Sequence, residues 1–242
     1  MDAKVAVDAL NTRLTESAAI FRGERSACRG AGRIAAMNLP EYPSAFLQLA
    51  DELAEHGWAQ CHNFLPQSLT AQLAEECRRR DKQGLLAPAG TGRGDALAVR
   101  EGVRSDHIQW LEAGQSAATD SYLAHLDNLR RFLNQSFYLG LEDYESHFAL
   151  YPPGAFYLRH LDRFRDDDRR TLSAVFYLNP QWDPADGGAL RLYLASGELD
   201  VWPEAGTLVL FRSADVLHEV LVNRRERLSL TGWFRRRGDG VF

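Results

Sequence analysis

Thr171-Leu172-Ser173-Ala174-Val175-Phe176-Tyr177-Leu178 sets Leu172, Ala174, Phe176 and Leu178 against Ser173, Val175 and Tyr177. Side chains of an extended chain alternate between its faces, so this is a strand with one face in a core and the other turned to a pocket, where Tyr177 offers its hydroxyl. Arg227 to Phe234 repeats the pattern, with Arg227, Ser229, Thr231 and Trp233 opposite Leu228, Leu230, Gly232 and Phe234. Around these two, apolar or alternating segments succeed one another from Tyr144 onward, at 146–151, 155–161, 171–178, 188–194, 206–211, 217–222 and 227–235, separated by Gly, Pro, Asp and Asn. Short strands so spaced form an antiparallel sandwich or barrel.

Upstream the texture is helical. Phe46, Leu47, Leu49, Ala50, Leu53 and Ala54 recur at helical spacing before Gly57, a strand is expected from Trp58 to Phe64, and Pro66 to Arg80 forms a second amphipathic helix. Residues 83–102 hold five glycines and one proline and are expected as a long binding loop or lid. A strand at His107 to Leu111 and a helix over 118–138 follow. The domain organisation expected is an N-terminal arm over residues 1–40 and one domain over 41–242, with helical support in 41–140 and the strand core in 144–236.

The chain has 242 residues, 45% hydrophobic and 25% charged, the balance of a globular protein. A net charge of -5 argues against a general phosphate-backbone binder, and Arg235-Arg236-Arg237 is expected as a basic strand end. No apolar run approaches a bilayer span and the N-terminus lacks a secretion signal, so a cytoplasmic protein is expected. Cys28, Cys61 and Cys77 match neither a disulfide framework nor a zinc knuckle. The run Asp166-Asp167-Asp168-Arg169-Arg170 is expected as a solvated hairpin tip.

Chemistry concentrates in Phe156-Tyr157-Leu158-Arg159-His160-Leu161-Asp162. His160 and Asp162 stand two apart and share a strand face. His218, 56 positions beyond Asp162 on another expected strand, completes two histidines and one carboxylate, the facial triad that holds non-haem Fe(II). Arg227 opens a polar strand face nine residues later, where a guanidinium takes a carboxylate in a bidentate pair. His56, His62, His107, His125 and His147 are expected to be structural or at the surface.

These residues, with Tyr151-Pro152, Phe176-Tyr177-Leu178-Asn179, Trp182, Gly187-Gly188-Ala189-Leu190-Arg191, His218-Glu219-Val220, Thr231 and Trp233, give residues 104–235 a resemblance to the Fe(II)- and 2-oxoglutarate-dependent dioxygenases. Within them the chain resembles the prolyl 4-hydroxylases, which include the hypoxia-inducible-factor prolyl hydroxylases and their bacterial relatives. The resemblance implies a mainly β fold, a cupin-like double-stranded β-helix or jelly roll buttressed by N-terminal helices. It implies iron on His160, Asp162 and His218; 2-oxoglutarate enclosed by Arg227, Tyr177, Thr231, Tyr151 and Leu190; and substrate contacts from Tyr157, Arg170 and Trp233. Alternation along the strand does not place Tyr157 on the metal face. Cosubstrates would be 2-oxoglutarate and O2, with ascorbate as a stimulant, succinate and CO2 released, and a proline hydroxylated. Asp162 argues against the halogenating variants, which lack a carboxylate ligand at that position.

The partner implied is a protein bearing a target proline, with a translation elongation factor the guess drawn from the bacterial branch; no membrane and no nucleic-acid partner is expected. Two other readings compete: a same-fold dioxygenase acting on a free amino acid or other small molecule, and a non-catalytic cupin-like metal-binding module. A demethylase of alkylated bases is a minor reading on the arginine runs. Arg227 and Tyr177 count against the metal-binding module, which has no use for a carboxylate clamp.

Overall fold

The computed structural model describes residues 42–91, 98–100, 102–164 and 167–238; the arm expected over residues 1–40 lies outside them, as does Cys28. Three helices precede most of the sheet: α1 (Ser44–His56), α2 (Gln67–Lys82) and α3 (Ala117–Phe137). α1 stops at Gly57, whose φ of 74° and amide bond to the Leu53 carbonyl make the left-handed turn that glycine adopts without strain. Ser116 caps α3, its Oγ accepting from the Thr119 amide at 3.1 Å while donating to Glu76 of α2. Glu76 is also ion-paired with Arg80, and both are buried, so α2 and α3 are joined by a satisfied polar network.

Seven strands form the large sheet, in the order β1 (Trp58–Cys61), β11 (Leu208–Arg212), β8 (Arg170–Tyr177), β13 (Arg227–Arg236), β6 (Leu141–Tyr151), β5 (His107–Trp110) and β2 (Ala87–Pro88). Four form the small one: β10 (Gly197–Val201), β9 (Leu190–Leu194), β12 (Leu217–Val220) and β7 (Tyr157–His160). Every pairing within them is antiparallel. The two sheets face each other as a double-stranded β-helix, as the resemblance implies.

The alternation read at 171–178 and 227–234 decides which face goes where. Leu172, Ala174, Phe176, Leu228, Leu230 and Phe234 join Leu49, Leu53, Leu126, Leu129 and Phe132 in one core, so the helices cover the outer face of the large sheet. Val175 and Tyr177 turn the other way and meet Leu190, Leu192 and Val220 of the small sheet.

Three expectations are corrected. The stretch 83–102 is paired rather than a plain loop: β2 extends the edge of the large sheet and β3 (Gly90–Thr91) pairs with β4 (Ala98–Val99), while residues 92–97 and 101 lie outside the description. Two-residue strands carry no periodicity for a sequence reading to find. β10 was not expected, yet Gly197 pairs with Leu194 across a two-residue turn. Arg170 is no hairpin tip, because it opens β8 and packs over the Trp233 ring at 3.4 Å; residue 166 of that segment is not described.

Candidate active site

A cavity of about 570 Å³ opens between the inner faces of the two sheets. β7 and β12 lie side by side with His160 opposite His218. His160 Nδ1 is 2.7 Å from the Leu158 carbonyl and His218 Nδ1 is 3.0 Å from that of Val216. A carbonyl only accepts, so each Nδ1 carries the proton and each Nε2 lone pair is free to ligate. Both Nε2 atoms lie 3.5 Å from the Asp162 carboxylate, and the ligating atoms of the three residues fall within 4.8 Å of one another.

Asp162 is held from the large sheet, its Oδ2 accepting from Ser173 Oγ at 2.6 Å. Burial works against its charged form, but His218, His160 and Ser173 outweigh it and hold the carboxyl well below the usual carboxylate range. Burial pushes His218 down to about 4. The cluster thus turns two Nε2 atoms and one carboxylate to a common point, a donor set that fits Fe(II).

The opposite end is built around Arg227, which is 1% exposed. Its Nε donates to the Gly188 carbonyl at 2.8 Å, and its guanidinium lies 4.9 Å from the Tyr151 ring centroid and 5.1 Å from that of Tyr177. Among the described residues no carboxylate lies within ion-pair distance of it. A buried cation so placed calls for an anion from outside the chain. Burial pushes the Tyr177 phenol up to about 12 against the pull of the Arg227 guanidinium beside it.

Gly187 and Gly188 make this end possible. Both have positive φ, and a Cβ on Gly188 would come within 2.9 Å of Asn223 Cβ and 3.3 Å of Arg227 Cδ. Asn179 fixes the start of β13, accepting from the Leu228 amide at 2.6 Å and donating to the Leu228 carbonyl at 2.9 Å.

Tyr151, Leu190, Thr231 and Trp233 line the cavity, as do Tyr157 and Arg170; Tyr177 flanks Arg227 behind the lining. Tyr157 arrives by an irregularity. On β12 His218 faces His160 and Val220 faces Tyr157, so two residues on one strand span three on the other. This bulge reverses the alternation of β7, and the Tyr157 ring stacks on His160 at 3.6 Å. Arg104, paired with the buried Asp106 at 2.7 Å, covers that ring at 4.7 Å. Arg170 is already engaged, to Glu145 at 3.0 Å and over Trp233. Arg235 pairs with Asp143 and Glu145, so the basic strand end is largely neutralised.

Sequence reasoning passed over Ser173 and Asn179 as polar contributors and set His147 aside as structural or superficial. His147 in fact lines the cavity, 1% exposed, with neither ring nitrogen hydrogen-bonded to protein. A lone histidine has no spacing partner to mark it; only its place on the pocket face of β6, opposite Thr231, does. Cys61 and Cys77 are buried free thiols.

Comparison with known proteins agrees with this geometry. The profile of the 2OG-Fe(II) oxygenase superfamily matches residues 146–235. The crystal structure of a prolyl-4-hydroxylase from Pseudomonas putida is similar, with 59% identity, 80% of this chain and 100% of that chain covered, and a TM-score of 0.74. A prolyl hydroxylase from Trichoplax adhaerens, solved with a fragment of the hypoxia-inducible-factor oxygen degradation domain, shares 25% identity over 78% of this chain and 88% of its own, with a TM-score of 0.71. The hypoxia-inducible factor prolyl hydroxylase of Caenorhabditis elegans is 30% identical over 75% of this chain, which spans 27% of that longer protein. The chain belongs to the 2OG-Fe(II) oxygenase superfamily and, within it, to the prolyl hydroxylases.

Proposed function

We propose that the protein hydroxylates a prolyl residue of a protein substrate, using Fe(II), 2-oxoglutarate and O2 and releasing succinate and CO2. The observation that carries this reading is the buried Arg227, with no carboxylate partner among the described residues, across the cavity from the His160, Asp162 and His218 cluster. A metal site alone needs no second pole of this kind, whereas a diacid chelated at one end does.

In this reading His160, Asp162 and His218 hold the iron, which supplies oxidative decarboxylation of the keto acid and hydroxylation of the target. Arg227 binds the distal carboxylate, and its Nε bond to Gly188 leaves the outer nitrogens for that task. Tyr177 and Tyr151 flank the guanidinium, Thr231 and Leu190 close the sides, and the phenols stay neutral because burial raises their pKa. Tyr157 and Trp233 line the path to the metal and exclude water from it. Arg170, stacked on Trp233, holds that indole in place. A proline-bearing loop of a translation elongation factor, the partner guessed from the family resemblance, is the first substrate to test.

The test is succinate formation by anaerobically Fe(II)-loaded protein given 2-oxoglutarate and oxygen, with and without lysate proteins, followed by mass spectrometry. Lysate-stimulated succinate with a gain of about 16 Da on a proline is expected, since hydroxylation inserts one oxygen atom. Turnover with no modified protein would transfer the reading to a small-molecule substrate, and no succinate would leave a metal-binding module.

A further inference from the structure

We propose that His147 is a cosubstrate-binding residue, hydrogen-bonding the metal-proximal end of the keto acid while Arg227 takes the distal carboxylate. This deepens the oxoglutarate reading above and rests on it.

Buried polar groups in folded proteins are nearly always paired, and a buried histidine with both nitrogens unpaired calls for a partner. His147 is such a histidine. Its ring is held rather than loose: Trp110 lies edge-on at 4.9 Å and Trp233 at 5.5 Å, and Trp233 Nε1 is another buried donor without a protein partner.

The sheet register says what passes it. Across the pocket face of the large sheet, Tyr151 stands opposite Arg227; Ala149, Ser229 and Tyr177 form the next row; His147, Thr231 and Val175 the next; Glu145, Trp233 and Ser173 the last. Ser173 holds Asp162. The His147 row thus lies between the arginine pole and the anchor of the metal cluster, and a diacid held at both poles must run past it. Burial, reinforced by Arg104, pushes the ring down to about 3, so at neutral pH it is uncharged. One nitrogen donates and the other accepts, which lets it fix a carboxylate or keto oxygen without placing a further positive charge beside a metal cation.

The experiment compares wild-type protein with His147→Met and His147→Gln, all as the full chain. Iron stoichiometry is measured first, then 2-oxoglutarate affinity by anaerobic titration of the visible charge-transfer absorption of the Fe(II) complex, then the thermal midpoint without ligands. His147→Met is expected to load iron normally, to unfold at or above the wild-type temperature because it removes unpaired buried nitrogens, and to bind 2-oxoglutarate about tenfold more weakly, the effect of one lost hydrogen bond to a charged group. His147→Gln, which keeps a donor, should recover most of the affinity. Unchanged 2-oxoglutarate affinity in His147→Met overturns the proposal, as does a defect confined to binding of a proline-containing protein. Wild-type protein that loads iron but shows no 2-oxoglutarate titration overturns the underlying function instead.

Discussion

Asp162 takes its orientation from Ser173, whose hydroxyl is in turn 2.9 Å from that of Ser213. Groups of this kind behind a metal ligand set its direction, and losing one commonly lowers metal affinity about 10–100-fold. Ser173→Ala should therefore weaken Fe(II) binding by that factor in a competition titration, and should also lower the unfolding midpoint in chelator, since it leaves the buried Asp162 and Ser213 short of a partner; equal affinity would mean that Asp162 is held otherwise. Arg227→Lys should retain iron yet raise the dissociation constant for 2-oxoglutarate by about tenfold or more, because an ammonium does not reproduce the fork of a guanidinium. Normal 2-oxoglutarate binding in that variant would remove the clamp. His147 also makes a pH prediction. In the unfolded chain its pKa is near the ordinary 6.5 and in the fold it is about 3, so between these values the unfolded state binds the extra proton. Stability must then fall as pH drops from 6.5 toward 3, by about 1.4 kcal/mol per unit of pKa difference at most. Urea midpoints of metal-free protein should show this slope, and His147→Met should flatten it; parallel slopes would show that the ring is solvated. At this scale the sequence was readable where residue types recur at a meaningful separation: His160 and Asp162 two apart, Arg227 opening an alternating face. It grouped His147 with the structural or surface histidines, because its place on the pocket face comes from strands distant in the chain.

At the scale of elements, two local irregularities shape the site. The bulge between β7 and β12 brings Tyr157 and His160 to the same side, which strict alternation forbids. That is why alternation alone could not place Tyr157 by the metal. The pair Gly187-Gly188 lets one backbone carbonyl approach Arg227, with Gly188 at a φ of 69°. Gly188→Ala imposes both left-handed strain and a crowded Cβ, and should lower stability by about 1–3 kcal/mol in urea unfolding while weakening 2-oxoglutarate binding. A variant as stable as wild type with unaltered affinity would show that the carbonyl does not position the guanidinium. The strand pattern from Tyr144 onward was legible because one face of the large sheet meets apolar helices and the other a polar cavity. The short strands β2, β3 and β4 were not, since their pairing depends on the edge they join rather than on their own side chains.

For the whole molecule, the helices among the described residues pack on only one of the two sheets. Phe176, fully buried between Tyr122 and Phe64, belongs to that supported side. Phe176→Ala should destabilise the fold by about 3–5 kcal/mol in urea unfolding, the usual cost of an emptied aromatic site; a smaller loss would mean that the helical layer collapses onto the space. The small sheet supplies His160 and His218, whereas Asp162 is fastened to the large sheet through Ser173. A metal bound by all three is consequently a clasp joining the two halves of the sandwich at its open rim. Loading it should slow amide exchange most in β7 and β12, the strands that carry the two histidines, and chelation should let that side of the molecule breathe while the helix-backed side stays shut.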